Sequence, residues 1–186
     1  MKSILPTILL AATVSLTTAR NIDKPSTRST ATCGDPGVAL PFYRGFKSTT
    51  VDHFYTTKVD LVDNSVLAGY ALQGVAALVF MTQEESTVPF YRLWKASATD
   101  NFYTTSTTER DNAIQNGYVL WTPDPQTYIY PTQICGSVPF YRLYNSAQQD
   151  NFYTTSESER LGFITQGHTD IEIAGYMLPV ASTQCD

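Results

Sequence analysis

One block of residues recurs three times along the chain at fixed spacing, and this limits the folds open to it more than any other feature. The first copy carries Pro41-Phe42-Tyr43-Arg44, then Asp52-His53-Phe54-Tyr55-Thr56-Thr57, then Gly69-Tyr70. The second carries Pro89-Phe90-Tyr91-Arg92-Leu93-Trp94, Asp100-Asn101-Phe102-Tyr103-Thr104-Thr105 and Gly117-Tyr118. The third carries Pro139-Phe140-Tyr141-Arg142-Leu143-Tyr144, Asp150-Asn151-Phe152-Tyr153-Thr154-Thr155 and Gly167-His168. In every copy the two tyrosines are twelve residues apart, and the glycine follows the second by fourteen. Spacing held over three copies marks a repeat architecture, in which each unit buries its apolar face against its neighbours.

Within a unit, Phe-Tyr-Arg-Leu-Trp/Tyr reads as a strand, a polar loop such as Asn145 to Gln149 turns the chain, and Asn-Phe-Tyr-Thr-Thr returns as the second strand of a hairpin. Ser106-Thr107-Thr108-Glu109 and Ser156-Glu157-Ser158-Glu159 have the form of a helix capping box, and Gly117 and Gly167 stand where a left-handed C-cap belongs. Lys58-Val59-Asp60-Leu61 lacks that box, so the first helix is expected to be the least well defined. Two more short strands follow each glycine, for example Tyr118 to Trp121 with Tyr128 to Tyr130. The expected fold is mainly β with short helices: a closed pseudo-threefold repeat, β-trefoil-like, with a three-bladed propeller-like assembly as the alternative. The boundaries are 1–19 for an export signal, 20–37 for a flexible leader and 38–186 for one domain of three repeats (38–86, 87–136, 137–186).

The export signal is read from a basic start at Lys2, a short apolar stretch from Ile4 to Val14, and small residues ending at Ala19. Nothing later resembles a transmembrane span, so the expected location is secreted and extracellular. The formal charge is −5, and loss of Lys2 with the signal makes it −6. An acidic chain without a basic patch is a poor partner for nucleic acid or an anionic membrane. Twelve tyrosines against three methionines favour sheet, and supply polar-tipped aromatics for cores and ligand surfaces alike.

Few residues invite catalysis. His53 and His168 are the only histidines, they occupy non-equivalent places, and neither has the nearby second histidine that a zinc site asks for. Asp52-His53 aligns with Asp100-Asn101 and Asp150-Asn151, which read as turn residues entering a strand. Glu109 and Glu159 are one structural position, which the capping box explains. No nucleophile elbow, zinc helix or phosphate loop occurs, so neither enzyme activity, metal nor cofactor is expected. Arg44, Arg92 and Arg142 are the cation retained in every copy. They are read either as partners of the aspartate in their own hairpin, Arg92 with Asp100, or as guanidinium groups beside an aromatic plate.

The strings Pro-Phe-Tyr-Arg-Leu-Tyr-Asn and Asp-Asn-Phe-Tyr-Thr-Thr-Ser, with the following Gly-Tyr, resemble a repeat family of secreted fungal and bacterial proteins catalogued mainly as a domain of unknown function. The resemblance covers Val38 to about Ala181. Units of that family occur alone and attached to secreted hydrolases, which implies an extracellular module and hints at binding, with no catalytic residue carried over. The chain departs from the pattern at Gly45-Phe46 and at Gly167-His168.

The function expected is a non-catalytic carbohydrate- or cell-wall-binding, lectin-like module, its partner an extracellular glycan. The alternative is a protein-binding module, such as a protease inhibitor or host-interaction factor, using the irregular insertion Thr122 to Thr127. Candidate ligand residues are Arg92, Trp94 and Tyr103, then Arg142, Tyr144 and Tyr153, with Arg44 and Tyr55 weakest. Of three cysteines, Cys33 and Cys185 flank the repeats and are expected to pair, leaving Cys135 buried or capped.

Overall fold

The computed structural model describes residues 32–180; the expected signal, most of the leader and Cys185 lie outside them. Three successive segments each run strand, strand, helix, strand. The first holds β1 (Leu40–Lys47), β2 (Asp52–Thr56), α1 (Val59–Leu67) and β3 (Ala71–Val79). The second holds β4 (Val88–Lys95), β5 (Asp100–Thr104), α2 (Thr107–Gln115), β6 (Val119–Leu120) and β7 (Thr127–Ile129). The third holds β8 (Val138–Asn145), β9 (Asp150–Thr154), α3 (Glu157–Thr165) and β10 (Thr169–Met177). They form three antiparallel sheets, ordered β2-β1-β3, β5-β4-β6 with β7 also on β4, and β9-β8-β10. The first strand of each segment is thus the middle of its sheet, with the hairpin partner at one edge.

The pair of short strands expected after each glycine occurs only in the second segment. β3 and β10 are continuous and bent by register shifts, as between Arg44 and Gly45. Pro123 and Pro125 interrupt the second segment because proline has no N–H for the ladder. The helices start as expected: Ser106 Oγ accepts from Glu109 N at 3.2 Å and Ser156 Oγ from Glu159 N at 3.3 Å, whereas α1 has no side-chain cap. All three nonetheless have nine residues. Gly69, Gly117 and Gly167 follow them at φ 89°, 89° and 94°. The capping box is only half made: Ser106 N and Ser156 N bond to Thr104 and Thr154 hydroxyls, which leaves the Glu109 and Glu159 carboxylates for other partners.

β2, β5 and β9 meet one another along unpaired edges inside the protein, where bare N–H and C=O groups are costly. Tyrosine solves this. Tyr55 Oη donates to Tyr153 O and accepts from Tyr153 N; Tyr153 Oη does the same for Tyr103, and Tyr103 Oη for Tyr55, all at 2.6–2.9 Å. The three rings meet edge to face at 5.5–5.7 Å. Each also stacks on the phenylalanine of its own first strand, Phe42, Phe90 or Phe140. All six are buried, and with Val79, Ile129 and Met177 they form the main core.

The disulfide joins Cys33 to Cys135, not to Cys185. The segment before β1 lies against the second repeat, with Gly34 N donating to Tyr130 Oη at 3.1 Å, so Cys33 lies within bridging distance of the junction between the second and third repeats. The bridge spans 102 residues and removes on the order of 4.7 kcal/mol of unfolded-state freedom in the chain-entropy picture. Non-reducing peptide mapping is expected to recover Cys33 linked to Cys135, and Cys135→Ser to lower the unfolding free energy in denaturant by up to that amount; recovery of Cys33 linked to Cys185 would contradict the assignment.

Candidate functional site

Strand alternation puts Arg92 and Trp94 on one face of their sheet with Tyr103, and Leu93 with Phe102 on the other. The Leu93–Phe102 face is covered by α2 through Ala113. The arginine face meets the preceding sheet. Arg92 lies over Phe54 at 5.6 Å, Arg142 over Phe102 at 4.4 Å and Arg44 over Phe152 at 5.1 Å. The expected pairing of each arginine with its own hairpin aspartate does not occur. Arg92 and Arg142 instead hold Asn101 and Asn151 of their own hairpins, and all three arginines reach carboxylates farther off. Arg44 forms two bonds to Glu159 at 2.8 and 2.9 Å. Arg142 contacts Glu109 at 3.3 Å and Glu172 at 3.0 Å. Glu109 and Glu159 are therefore parts of inter-sheet ion pairs as well as first-turn residues.

The junction of the first and second segments lacks that carboxylate, because Leu61 stands where Glu109 and Glu159 stand in the other helices. Asp124, from the insertion between β6 and β7, takes its place against Arg92 at 2.5 Å. Here the aromatic side chains gather. Trp94 and Trp121 lie 6.4 Å apart at 65°, and Arg92 sits 5.1 Å from Trp121. With Phe54, Leu61 and Tyr70 they line a groove of about 350 Å³. A smaller chamber of about 190 Å³ lies on the other side of Arg92 and Trp121, lined also by Thr57, Asp124 and Gln126. Two buried polar atoms here have no hydrogen-bond partner, the donor Trp121 Nε1 and the acceptor Asp124 Oδ1. Such atoms are rare enough in folded proteins to ask for a reason.

The other two junctions are chemically different. That between the second and third segments, about 280 Å³, is lined by Glu109 and Arg142. That between the third and first, about 270 Å³, is lined by Phe46, His53, Phe163 and His168, with Phe163 stacked on Phe152 at 3.6 Å.

Of the residues expected to bind ligand, Arg92 and Trp94 share the aromatic groove. Tyr103 and Tyr55 reach only the floor of the smaller chamber, and they and Tyr153 are buried with their hydroxyls engaged by backbone. Burial pushes all three phenols up, so they stay neutral. Arg44 and Arg142 are held in ion pairs, and Tyr144 lies opposite Asn151, half-buried. Trp121, Tyr70 and Asp124 were not anticipated; the signal for them was the loss of the helix glutamate at Leu61 together with an acidic insertion present in one copy. That insertion is tied at two points: Lys58 Nζ donates to Pro123 O at 2.8 Å and Gln126 Nε2 to Phe90 O at 2.8 Å. The two histidines, far apart in sequence, converge on Asp150, His53 Nδ1 at 2.8 Å and His168 Nε2 at 3.8 Å.

Burial works against the charge of Glu159, but Arg44 and the Thr154 hydroxyl outweigh it and hold its pKa below the ordinary carboxylate range. A lowered folded pKa means that this stability is present above the unfolded pKa of about 4.5 and is lost as pH falls through the folded value. Glu159→Gln is expected to lose roughly 1–3 kcal/mol at neutral pH and to show a smaller acid-induced loss than the parent; equal acid sensitivity in denaturant titrations would remove the pair from the account.

No curated protein matches the chain, and no solved structure does. A family model matches residues 41–178, the whole of the three segments. The protein therefore belongs to the family described as a domain of unknown function, DUF5648.

Proposed function

We propose that the protein is a secreted, non-catalytic carbohydrate-binding module whose principal site is the groove between the first and second segments. The observation that carries the reading is the pair of tryptophans, Trp94 and Trp121, lining that groove beside Arg92. The apolar face of a sugar ring can rest on an indole while its hydroxyls accept from the neighbouring guanidinium. Glycoside hydrolysis ordinarily takes two carboxyl groups, and among the described residues Asp124 is the one carboxylate lining the two chambers. Secretion is supported by the sequence of residues 1–19 and by the disulfide. The body is read as a closed pseudo-threefold assembly, and the packing of one sheet's arginine face on the next sheet's phenylalanine favours the three-bladed propeller-like form over the trefoil.

Isothermal titration and retention on insoluble glucan, chitin and mannan test the reading. Trp94→Ala and Trp121→Ala are each expected to weaken binding about fivefold at one site, since an aromatic platform contributes on the order of 1 kcal/mol. Leu61→Glu restores the carboxylate of the other junctions, and is expected to abolish binding while leaving the fold intact. Unchanged glycan binding by Leu61→Glu would place the site elsewhere.

A further inference from the structure

Where β2, β5 and β9 meet, beside the tyrosine ring, three carboxylates are brought together. Asp52, Asp100 and Asp150 are each 0% exposed, and one oxygen from each lies within 4.8 Å of the others. They cap strand edges: Asp100 accepts from Asn151 N and Nδ2, Asp150 from His53 N and Nδ1, and Asp52 from Asn101 Nδ2. Tyr70 and Tyr118 hydroxyls add bonds to Asp52 and Asp100. Apart from the His53 ring these donors are neutral, and among the described residues no lysine or arginine pairs with any of the three. Hydrogen bonds therefore account for the positions of the carboxylates and leave their charge unbalanced.

A second observation points to a missing ligand. In the third segment His168 stands where Tyr70 and Tyr118 stand in the others, yet it does not repeat their bond. It is 8% exposed, both ring nitrogens lack a hydrogen-bond partner, and Nε2 faces Asp150 Oδ2 at 3.8 Å. This is too long for a hydrogen bond, so the buried ring faces the cluster without a bond to it. We propose that Asp52, Asp100 and Asp150 hold one divalent cation, with His168 facing it from the Asp150 side. Carboxylate oxygens suit a hard ion of the Ca²⁺ or Mn²⁺ class, with Zn²⁺ as the softer comparison. An entry path exists, since Asp150 and His168 line a cavity of about 270 Å³ with Gln148 and Gln166, which are exposed. The ion would add to the hydrogen bonds that already link the three strand edges at this level.

The test uses full-length mature protein stripped with EDTA and dialysed, then titrated separately with Ca²⁺, Mn²⁺ and Zn²⁺ at neutral pH, with binding read by calorimetry and stability by thermal unfolding. One ion per chain and a melting temperature raised by several degrees are expected. Asp100→Asn keeps an acceptor for Asn151 N and removes a charge, so it should fold and bind at least tenfold more weakly. If circular dichroism shows that it does not fold, Asp52→Asn serves in its place. Absence of stoichiometric binding for all three ions, or undiminished binding in the folded variant, would overturn the proposal. Glycan binding is measured on the same samples, so a negative metal result is distinct from failure of the carbohydrate reading.

Discussion

The structure depends on three tyrosine hydroxyls that satisfy strand edges buried inside the molecule. An edge strand normally turns its free N–H and C=O groups to water, and burying them unpaired costs several kcal/mol per strand. Here each hydroxyl donates to one carbonyl and accepts from the amide of the same residue in a neighbouring strand, Tyr103 serving Tyr55, Tyr153 serving Tyr103 and Tyr55 serving Tyr153. A phenol suits the task because its rigid ring packs as core while its tip both gives and receives a hydrogen bond. Phenylalanine would pack equally well and leave two backbone groups bare.

With the edges fixed in this way, the sheets stand close enough for the arginine on one to lie over the phenylalanine of the next. That contact recurs at all three junctions, while the residues around it vary. Glutamate closes the arginine at two of them, and at one Phe163 stacks on the phenylalanine. At the remaining junction Leu61 leaves the arginine to an insertion carrying Asp124, and two tryptophans line the opening. The three related junctions thus differ in chemistry, because the helix position that supplies glutamate to two of the arginines supplies leucine to the third.

The hairpins, the serine caps and the left-handed glycines were legible in the sequence, since each depends on residues within one turn or one loop of each other. Relations between repeats were not. The three arginines looked as if they belonged to the aspartates eight residues on, but those aspartates bond to Asn101, Asn151 and His53 across the molecule. His53 and His168 share a carboxylate that sequence separation concealed. Cys33 found Cys135 because the segment before β1 leans on the second repeat, a contact that no spacing encodes. Gly45, a departure from the repeat, is buried against Phe54, whose ring comes within 2.2 Å of where a Cβ would stand. Departures from the repeat were the useful signal, and Leu61 with its compensating insertion is the clearest.

The central claim is tested most directly by the unfolding free energy of Tyr103→Phe in denaturant, set against Tyr43→Phe, where the tyrosine is half-buried and outside the hydroxyl ring. Loss of the Tyr103 hydroxyl strands the amide and carbonyl of Tyr55, so the account predicts a loss of about 2–6 kcal/mol, against less than about 1 kcal/mol for the control. Equal effects in the two variants would mean that the hydroxyl ring does not hold the three sheets together.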